Sequence, residues 1–172
     1  SKASKAPGVV KILTGEDLVK DKIGGLIAGW KIVSQDGKDM KIPPHPALAK
    51  DSVNFVGDHV AVVIAETLEQ AKNAAELISV SYKIRKAVIK AKDATGFENI
   101  HESIDNNLCF DFLLGDKGKT DEAFSKADKV VKLDLVNNRL IPNAMEPRAA
   151  IGDYNSSSDL LTLYTASQNP HL

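Results

Sequence analysis

The sequence has little of several residue types: among its 172 residues are one cysteine, Cys109, and only three arginines, Arg85, Arg139 and Arg148. One cysteine excludes an intrachain disulfide and a cysteine-based zinc or iron–sulfur site, which is typical of a reducing cytoplasm. No apolar run approaches the roughly 18 residues that a membrane span requires. The formal net charge of -1 and the scarcity of arginine argue against nucleic-acid binding.

Catalytic and metal-binding motifs are also missing. The chain lacks GxGxxG, a P-loop, GxSxG and HExxH, so nothing predicts a dinucleotide, nucleoside triphosphate, serine-hydrolase or zinc-protease site. The four histidines share no ligand spacing with one another or with nearby acids. We therefore assign them structural or surface roles and expect no metal ligands among them: His45, His59, His101 and His171.

Apolar periodicity in the first half predicts short strands and helices. Residues 9–13 read as a strand that ends at Thr14, which favours a helix N-cap. Residues 20–46 read as a long excursion with a hairpin turn at Asp36-Gly37. A strand–helix–strand unit with a right-handed crossover is expected from a buried strand at 60–65, a helix from the Thr67 capping box to Ile78, and a strand at 79–82. Residues 53–56 are predicted to form one more strand.

The second half predicts a different set of elements. After a charged connection with a boundary near residue 93, Thr120 favours the start of a short helix through Ala127. Residues 129–140 alternate and predict a long strand. Residues 149–154 and 160–165 predict a hairpin joined by a polar turn.

Two polar positions are candidates for chemistry. Glu146 precedes Pro147, which favours an extended bend, and its carboxylate could accept backbone N–H groups or pair with Arg148 or Arg139. We favour that structural role over an acid facing a site. Ser167-Gln168-Asn169 lies between a strand and a helix predicted at Pro170, where capping is the simplest interpretation and ligand binding the alternative.

Several stretches together resemble one family, in the same order along nearly the whole chain. They are PGVVKILTGEDL (7–18), FVGDHVAVVIAET (55–67), NLCF (107–110) with Gly115-Asp116, NNRLIPNAMEPR (137–148) and YTASQNPH (164–171). They are similar to the large subunit of molybdenum hydroxylases, the xanthine dehydrogenase and aldehyde oxidase family, especially its carbon monoxide dehydrogenase large-chain branch. One departure is YKIRKAV (82–88), where the family usually has an acidic segment with proline.

The resemblance implies an α+β fold in two parts. Residues 1–93 would form an α/β hammerhead domain without its first strands, and residues 94–172 the start of a mixed α/β molybdopterin-binding domain. Gln168 falls on the family's glutamine that hydrogen-bonds the apical oxo ligand of molybdenum. No complete catalytic set is expected, because the Gly-rich loop, the active-site loop and the glutamate base of the family would follow Leu172.

The resemblance also implies cofactors and partners. The full enzyme would carry a molybdenum–pterin cofactor, with FAD and 2Fe-2S clusters on a medium and a small subunit, and its large subunit would form a homodimer in the cytoplasm. We expect the chain to be an N-terminal fragment that is inactive alone and binds no cofactor. The alternative is a stand-alone hammerhead-type binding or assembly module, which should bury its own apolar surface.

Overall fold

The computed structural model describes residues 2–169, and the chain divides after Lys117 into two units. The helices and strands, in chain order, are β1 (Val9–Thr14), α1 (Gly15–Lys20), β2 (Ala61–Ala65), α2 (Leu68–Glu76), α3 (Lys117–Ser125), β3 (Ala150–Asn155) and β4 (Leu160–Thr165). Short 3-10 turns lie at Ala3–Lys5, Ala91–Asp93 and Asp105–Asn107. No helix in residues 2–169 has the length and apolarity to cross a bilayer.

The first unit is built on an antiparallel pair of strands. β1 pairs with β2 from Val9 opposite Ala65 to Thr14 opposite Ala61, with an irregularity between Val9 and Lys11. This confirms the predicted strand at 9–13. The Asp17 Oδ2 atom accepts from both the Thr14 backbone N–H and the Thr14 hydroxyl, each at 2.8 Å. α1 therefore begins where the sequence predicted it.

The capping box at Thr67 is also confirmed. The Thr67 backbone N–H donates to Gln70 Oε1 at 3.1 Å, and the Gln70 N–H donates to Thr67 Oγ1 at 3.2 Å. Reciprocal bonds of this kind satisfy two donors that a helix start otherwise leaves open. α2 ends at Glu76, two residues before the predicted end.

The predicted strand at 53–56 is wrong, and an aspartate explains why. The Asp58 Oδ2 atom accepts from the N–H groups of Asn54 at 2.6 Å and Phe55 at 3.3 Å. A carboxylate that takes these donors folds the segment into a turn, since the same N–H groups are then not available to a neighbouring strand.

The predicted crossover unit is wrong as well. Residues 79–82 join no sheet, and β2 pairs with β1 in the antiparallel sense. β2 was expected to be buried on both faces, yet Val62 and Ile64 remain exposed on one of them. The near-continuous apolar run reflects a strand with one open face rather than a central parallel strand.

The long excursion contains the predicted turn. The Gly37 N–H donates to the Ser34 carbonyl, the Ser34 N–H donates to the Lys38 carbonyl, and Val33 bridges Asp39. Gly37 has a φ of 77°, which is the left-handed conformation that favours glycine in tight turns. The segment after Asn107 runs beside this turn. The Lys41 N–H donates to the Cys109 carbonyl at 2.8 Å and joins the two.

The second unit contains the predicted hairpin. β3 pairs with β4 without interruption from Ala150 opposite Thr165 to Asn155 opposite Leu160. In the turn, Asn155 Oδ1 accepts from the N–H groups of Ser157 and Ser158. α3 begins at Lys117, three residues before the predicted start at Thr120, and ends two residues before Ala127.

The predicted strand at 129–140 is wrong in the described structure. Its backbone pairs with no other strand within residues 2–169, and Val131, Leu133 and Leu135 are 79%, 77% and 80% exposed. An alternating sequence forms a strand only where a partner receives its N–H and C=O groups. The apolar core of the described chain is small and lies in the first unit, at Ala3, Leu48, Ala74 and Ile104.

Candidate functional site

The β3–β4 hairpin brings together the two polar motifs that the sequence singled out. The Ala166 N–H donates to the Ala149 carbonyl at 3.1 Å, one step beyond the last paired residues of the ladder. Continuing this register outward brings Arg148 beside Ser167 and Pro147 beside Gln168. Two segments some twenty residues apart in sequence therefore meet at the open end of the hairpin.

A cavity of about 260 Å³ lies at that end. It is lined by Glu146, Pro147, Arg148, Ala166, Ser167 and Gln168. We call it the hairpin pocket. The lining residues carry one carboxylate, one guanidinium, one hydroxyl and one carboxamide, which are groups that can donate and accept hydrogen bonds.

Glu146 does not make the structural contacts expected of it. Within residues 2–169 its carboxylate accepts no backbone N–H and forms no ion pair with Arg148 or Arg139. Glu146 lies in a bend with Met145, and its side chain is exposed. The described contacts thus give no structural role to this carboxylate, and its place in the hairpin pocket favours the alternative of an acid at a site.

The polar triplet after β4 forms a local turn. The Asn169 N–H donates to Ser167 Oγ at 3.3 Å, which is a turn typical of serine. Gln168 makes no hydrogen bond with the described residues. The helix predicted at Pro170, and His171 with it, lie outside the described residues.

A second cavity, of about 440 Å³, lies in the first unit and is lined mostly by apolar side chains of the long excursion. His45 meets the Phe55 ring edge-to-face there, with ring centroids 6.0 Å apart, and His101 and Cys109 also line the space. Among residues 2–169, no group of three or more His, Cys, Asp or Glu side chains is arranged to hold a metal ion. His59 lies before β2 and lines neither cavity, although its carbonyl accepts the Ala49 N–H.

Sequence reasoning nominated Glu146, Arg148 and Gln168 separately but did not bring them together. The signal was present in the predicted hairpin, because pairing residues 149–154 with 160–165 already implies that their outer neighbours meet. The apolar cavity of the first unit was missed, since its lining comes from irregular segments that no periodicity describes.

Comparison with known proteins gives the family. Residues 1–86, half of the chain, match the family model for the aldehyde oxidase and xanthine dehydrogenase a/b hammerhead domain. Residues 100–172 match the molybdopterin cofactor-binding domain. The two matches follow one another in the order that the sequence motifs predicted.

Individual relatives agree with the family models. The chain is 30% identical to the nicotine 6-hydroxylase large subunit of Paenarthrobacter nicotinovorans, over 99% of this chain and 20% of that protein. It is 28% identical to the carbon monoxide dehydrogenase large chain of Hydrogenophaga pseudoflava, over 96% of this chain and 21% of that protein. The structure of quinoline 2-oxidoreductase from Pseudomonas putida 86 matches with a TM-score of 0.77 and 27% identity, over 96% of this chain and 20% of that one.

These relatives show the fold of the chain and the share of a relative's length that the chain covers. The chain spans about a fifth of the length of the relatives named above, and its own elements are α+β, a hammerhead domain followed by the start of a molybdopterin-binding domain. The chain belongs to the aldehyde oxidase and xanthine dehydrogenase family of molybdenum-dependent oxidoreductases.

Proposed function

We propose that this chain is the N-terminal part of a molybdenum hydroxylase large subunit. The whole enzyme oxidises a small substrate, such as carbon monoxide, an aldehyde or an N-heterocycle, with water as the source of oxygen. Support comes from the two family models in their expected order and from relatives about five times as long as this chain. We further propose that residues 1–93 and 94–172 are the two domains of this part.

The hairpin pocket is the observation that carries the proposal for the site. A molybdenum–pterin cofactor presents oxygen atoms that accept hydrogen bonds, and it supplies the two-electron chemistry when bound. The pocket offers donors from Gln168, Ser167 and Arg148, and the described residues leave the Gln168 and Arg148 donors without a protein partner. These residues fit a cofactor held by hydrogen bonds rather than by protein ligands to the metal.

We propose that Gln168 would help hold the cofactor by donating a hydrogen bond to one of its oxygen atoms. A carboxamide carries no charge, so it would orient the cofactor without altering the total charge of the site. Gln168 lies three residues after the end of β4, and this nearness to a regular element limits how far the turn can shift. Glu146 and Arg148 complete the described wall of the pocket.

The proposed partners follow from the family. The single cysteine of these 172 residues cannot by itself supply the ligands of a 2Fe-2S cluster. We propose a small iron–sulfur subunit, a medium flavin subunit, a homodimer of the large subunit and a cytoplasmic location. Relatives described as a large subunit or a large chain support this organisation.

The rival function is a stand-alone binding module. Such a module is expected to bury its own apolar side chains in a core. In residues 118–169 only Thr162 is even half-buried, and large apolar side chains such as Val136 (86%) and Ile141 (81%) are exposed. Exposed apolar surface of this extent is typical of a face that more protein covers. This observation favours the enzyme over the module.

The test is to purify the natural gene product and measure its subunit mass, molybdenum and pterin. We expect a subunit several times larger than 18.5 kDa that carries one cofactor, whereas residues 1–172 expressed alone should carry none. A natural product without molybdenum or pterin would refute the enzyme proposal. If residues 1–172 alone carry one cofactor per chain, the expectation that this part does not bind the cofactor by itself is refuted.

A further inference from the structure

Residues 83–89 form an irregular segment that its own backbone does not hold in place. The segment lies a few residues after α2 and belongs to no helix or strand. Within residues 2–169, none of its backbone N–H and C=O groups takes part in a hydrogen bond. The sequence also has no proline between Pro46 and Pro142, so no ring fixes φ here. A fixed conformation of this segment therefore depends on its side chains.

Arg85 makes the shortest contact of the segment. Its Nη2 atom donates to the Asn99 carbonyl at 2.7 Å and lies 3.5 Å from Glu98 Oε1. Hydrogen bonds from a charged donor are stronger than those between neutral groups. Because Asn99 lies fourteen positions further along the chain, this contact closes the loop between them.

Lys86 adds a contact to the same loop. Its Nζ atom lies 4.7 Å from the centroid of the Phe97 ring, which is within the range of a cation–π attraction. The Phe97 side chain is half-buried, so the ring gives the ammonium group a fixed surface. Two successive cations of the segment thus contact three successive residues of the loop, 97–99.

The receiving loop is itself anchored. Ile104 is 3% exposed and belongs to the core of the first unit. The Asn106 N–H donates to Asn99 Oδ1 at 3.0 Å. Asn99 therefore takes part twice, because its carbonyl receives Arg85 and its side chain receives Asn106. Through Asn99, the segment is joined by hydrogen bonds to a loop that the core holds.

We propose that Arg85 and Lys86 form a clamp that closes the connection between the two family domains. The matched ranges end at residue 86 and begin again at residue 100. The clamp joins the last two residues of the first range to the three residues that precede the second. This inference goes beyond the proposed function and depends neither on the cofactor nor on the substrate.

A clamp built on charges responds to salt, whereas a connection stiffened by proline does not. The side chains of Arg85 and Glu98 are 45% and 74% exposed, so dissolved ions screen their attraction. The bond to the Asn99 carbonyl needs no second charge and is screened less. Salt should therefore loosen the connection in part.

The experiment measures amide hydrogen exchange by mass spectrometry in the complete protein from the natural gene, on peptides that cover 94–107. Exchange is followed at low and high sodium chloride, roughly 0.05 and 1 M. The variants are Arg85→Met, Arg85→Lys, Lys86→Met, Glu98→Gln and the combination Arg85→Met with Glu98→Gln. Lys83→Met is the matched control, because Lys83 is an exposed cation close to Arg85 that forms no ion pair with the described part of the chain.

The substitutions should separate the clamp from the general charge of the segment. We expect Arg85→Met to speed exchange in 94–107 by roughly fivefold at low salt, because the loop loses its charged donor. Arg85→Lys should fall between Arg85→Met and the unsubstituted protein, since an ammonium group lacks the planar fork of the guanidinium. Lys86→Met should have a smaller effect of about twofold, and Lys83→Met should have none.

Glu98→Gln tests the charged half of the contact. This variant should exchange slightly faster than the unsubstituted protein at low salt and lose most of the salt dependence. The combined variant should exchange no faster than Arg85→Met alone, because Glu98 acts through Arg85.

Two results would overturn the inference. If Arg85→Met exchanges like the unsubstituted protein, the contact does not hold the loop. If Lys83→Met accelerates exchange as much as Arg85→Met, the charge of the segment acts rather than the contact. Should Arg85→Met fail to fold, Arg85→Lys is compared with Lys83→Met by the same criterion. The molybdenum and pterin content of the same protein tests the proposed function separately, so the two can fail independently.

Discussion

Asn107 illustrates, at the scale of one residue, how a single side chain can hold a long irregular segment. Its Oδ1 atom accepts from the Ile100 N–H at 2.7 Å, and its Nδ2 donates to the carbonyls of Ala94 at 2.9 Å and Glu98 at 3.2 Å. Its φ is 54°, a conformation that asparagine tolerates better than most residues. The asparagine of the NLCF motif therefore organises residues 94–107.

Replacing Asn107 by alanine should loosen this segment. The part-buried Ile100 N–H would lose its acceptor, which costs about 1–3 kcal/mol, so its hydrogen exchange should accelerate by at least about fivefold. Asn106→Ala is the matched control, because Asn106 has the same φ of 54° while its side chain makes none of these bonds. Equal acceleration in both variants would show that backbone conformation, not the side-chain network, holds the segment.

Asp17 gives a residue-scale prediction about pH. The backbone N–H of Thr14, and next its hydroxyl, hold the pKa of the Asp17 carboxyl below the ordinary value of 3.8. Because this pKa is lowered on folding, its contribution to stability is present above the ordinary pKa and is lost as the pH falls through the folded value. A carboxyl ¹³C titration by NMR should therefore give a midpoint below 3.8 for Asp17.

The variant Thr14→Val separates the two causes of that lowered pKa. It removes the hydroxyl donor but keeps the backbone N–H, which is the larger cause. The Asp17 midpoint should then rise but remain below the ordinary value. A midpoint that Thr14→Val leaves in place would contradict the contribution of the hydroxyl.

At the scale of an element, α2 depends on the start that Thr67 provides. Its side chain accepts the Gln70 N–H, and loss of such a cap costs about 1 kcal/mol. Thr67→Ala should speed amide exchange in α2 by about fivefold, measured by hydrogen-exchange mass spectrometry on peptides from 68–76. Thr67→Ser keeps a hydroxyl at the same position and should leave the amide exchange rate of α2 near that of the unsubstituted chain. If both variants exchange alike, the hydroxyl is not what stabilises the start of α2.

The hairpin is the element on which the candidate site depends. Tyr154 donates its hydroxyl to Asp159 Oδ1 at 2.8 Å across the turn, and Asn155 holds the turn backbone. These contacts lie at the opposite end of the hairpin from Gln168. They fix the register, and a shift of one residue would change which residues meet at the hairpin pocket and turn every side chain of the shifted strand to the other face.

At the scale of the whole molecule, sequence patterns predicted what is local and failed where distant segments had to meet. The Thr67 box and the hairpin at 150–165 follow from residues close in sequence, and both are confirmed. The strands expected at 79–82 and 129–140 needed partners that the pattern alone cannot supply. Gln168 was a candidate from its polar turn and was given a role only through resemblance, and its place in one cavity with Glu146 and Arg148 required the register that the structure gives.

The exposed apolar residues of the second unit lead to the last prediction. The segment 130–141 leaves Val131, Leu133 and Leu135 largely open to water, and burying one such side chain is worth about 1.5–3 kcal/mol. Residues 1–172 expressed alone should therefore self-associate as concentration rises, as measured by sedimentation velocity. Replacing Leu133 and Leu135 together by lysine should shift the chain toward monomer, while Ile84→Lys, at an apolar position of the first unit that is 91% exposed, should have little effect. If unsubstituted residues 1–172 remain monomeric and bind no apolar dye, the view that more protein covers this segment is contradicted. That result would favour the stand-alone module instead.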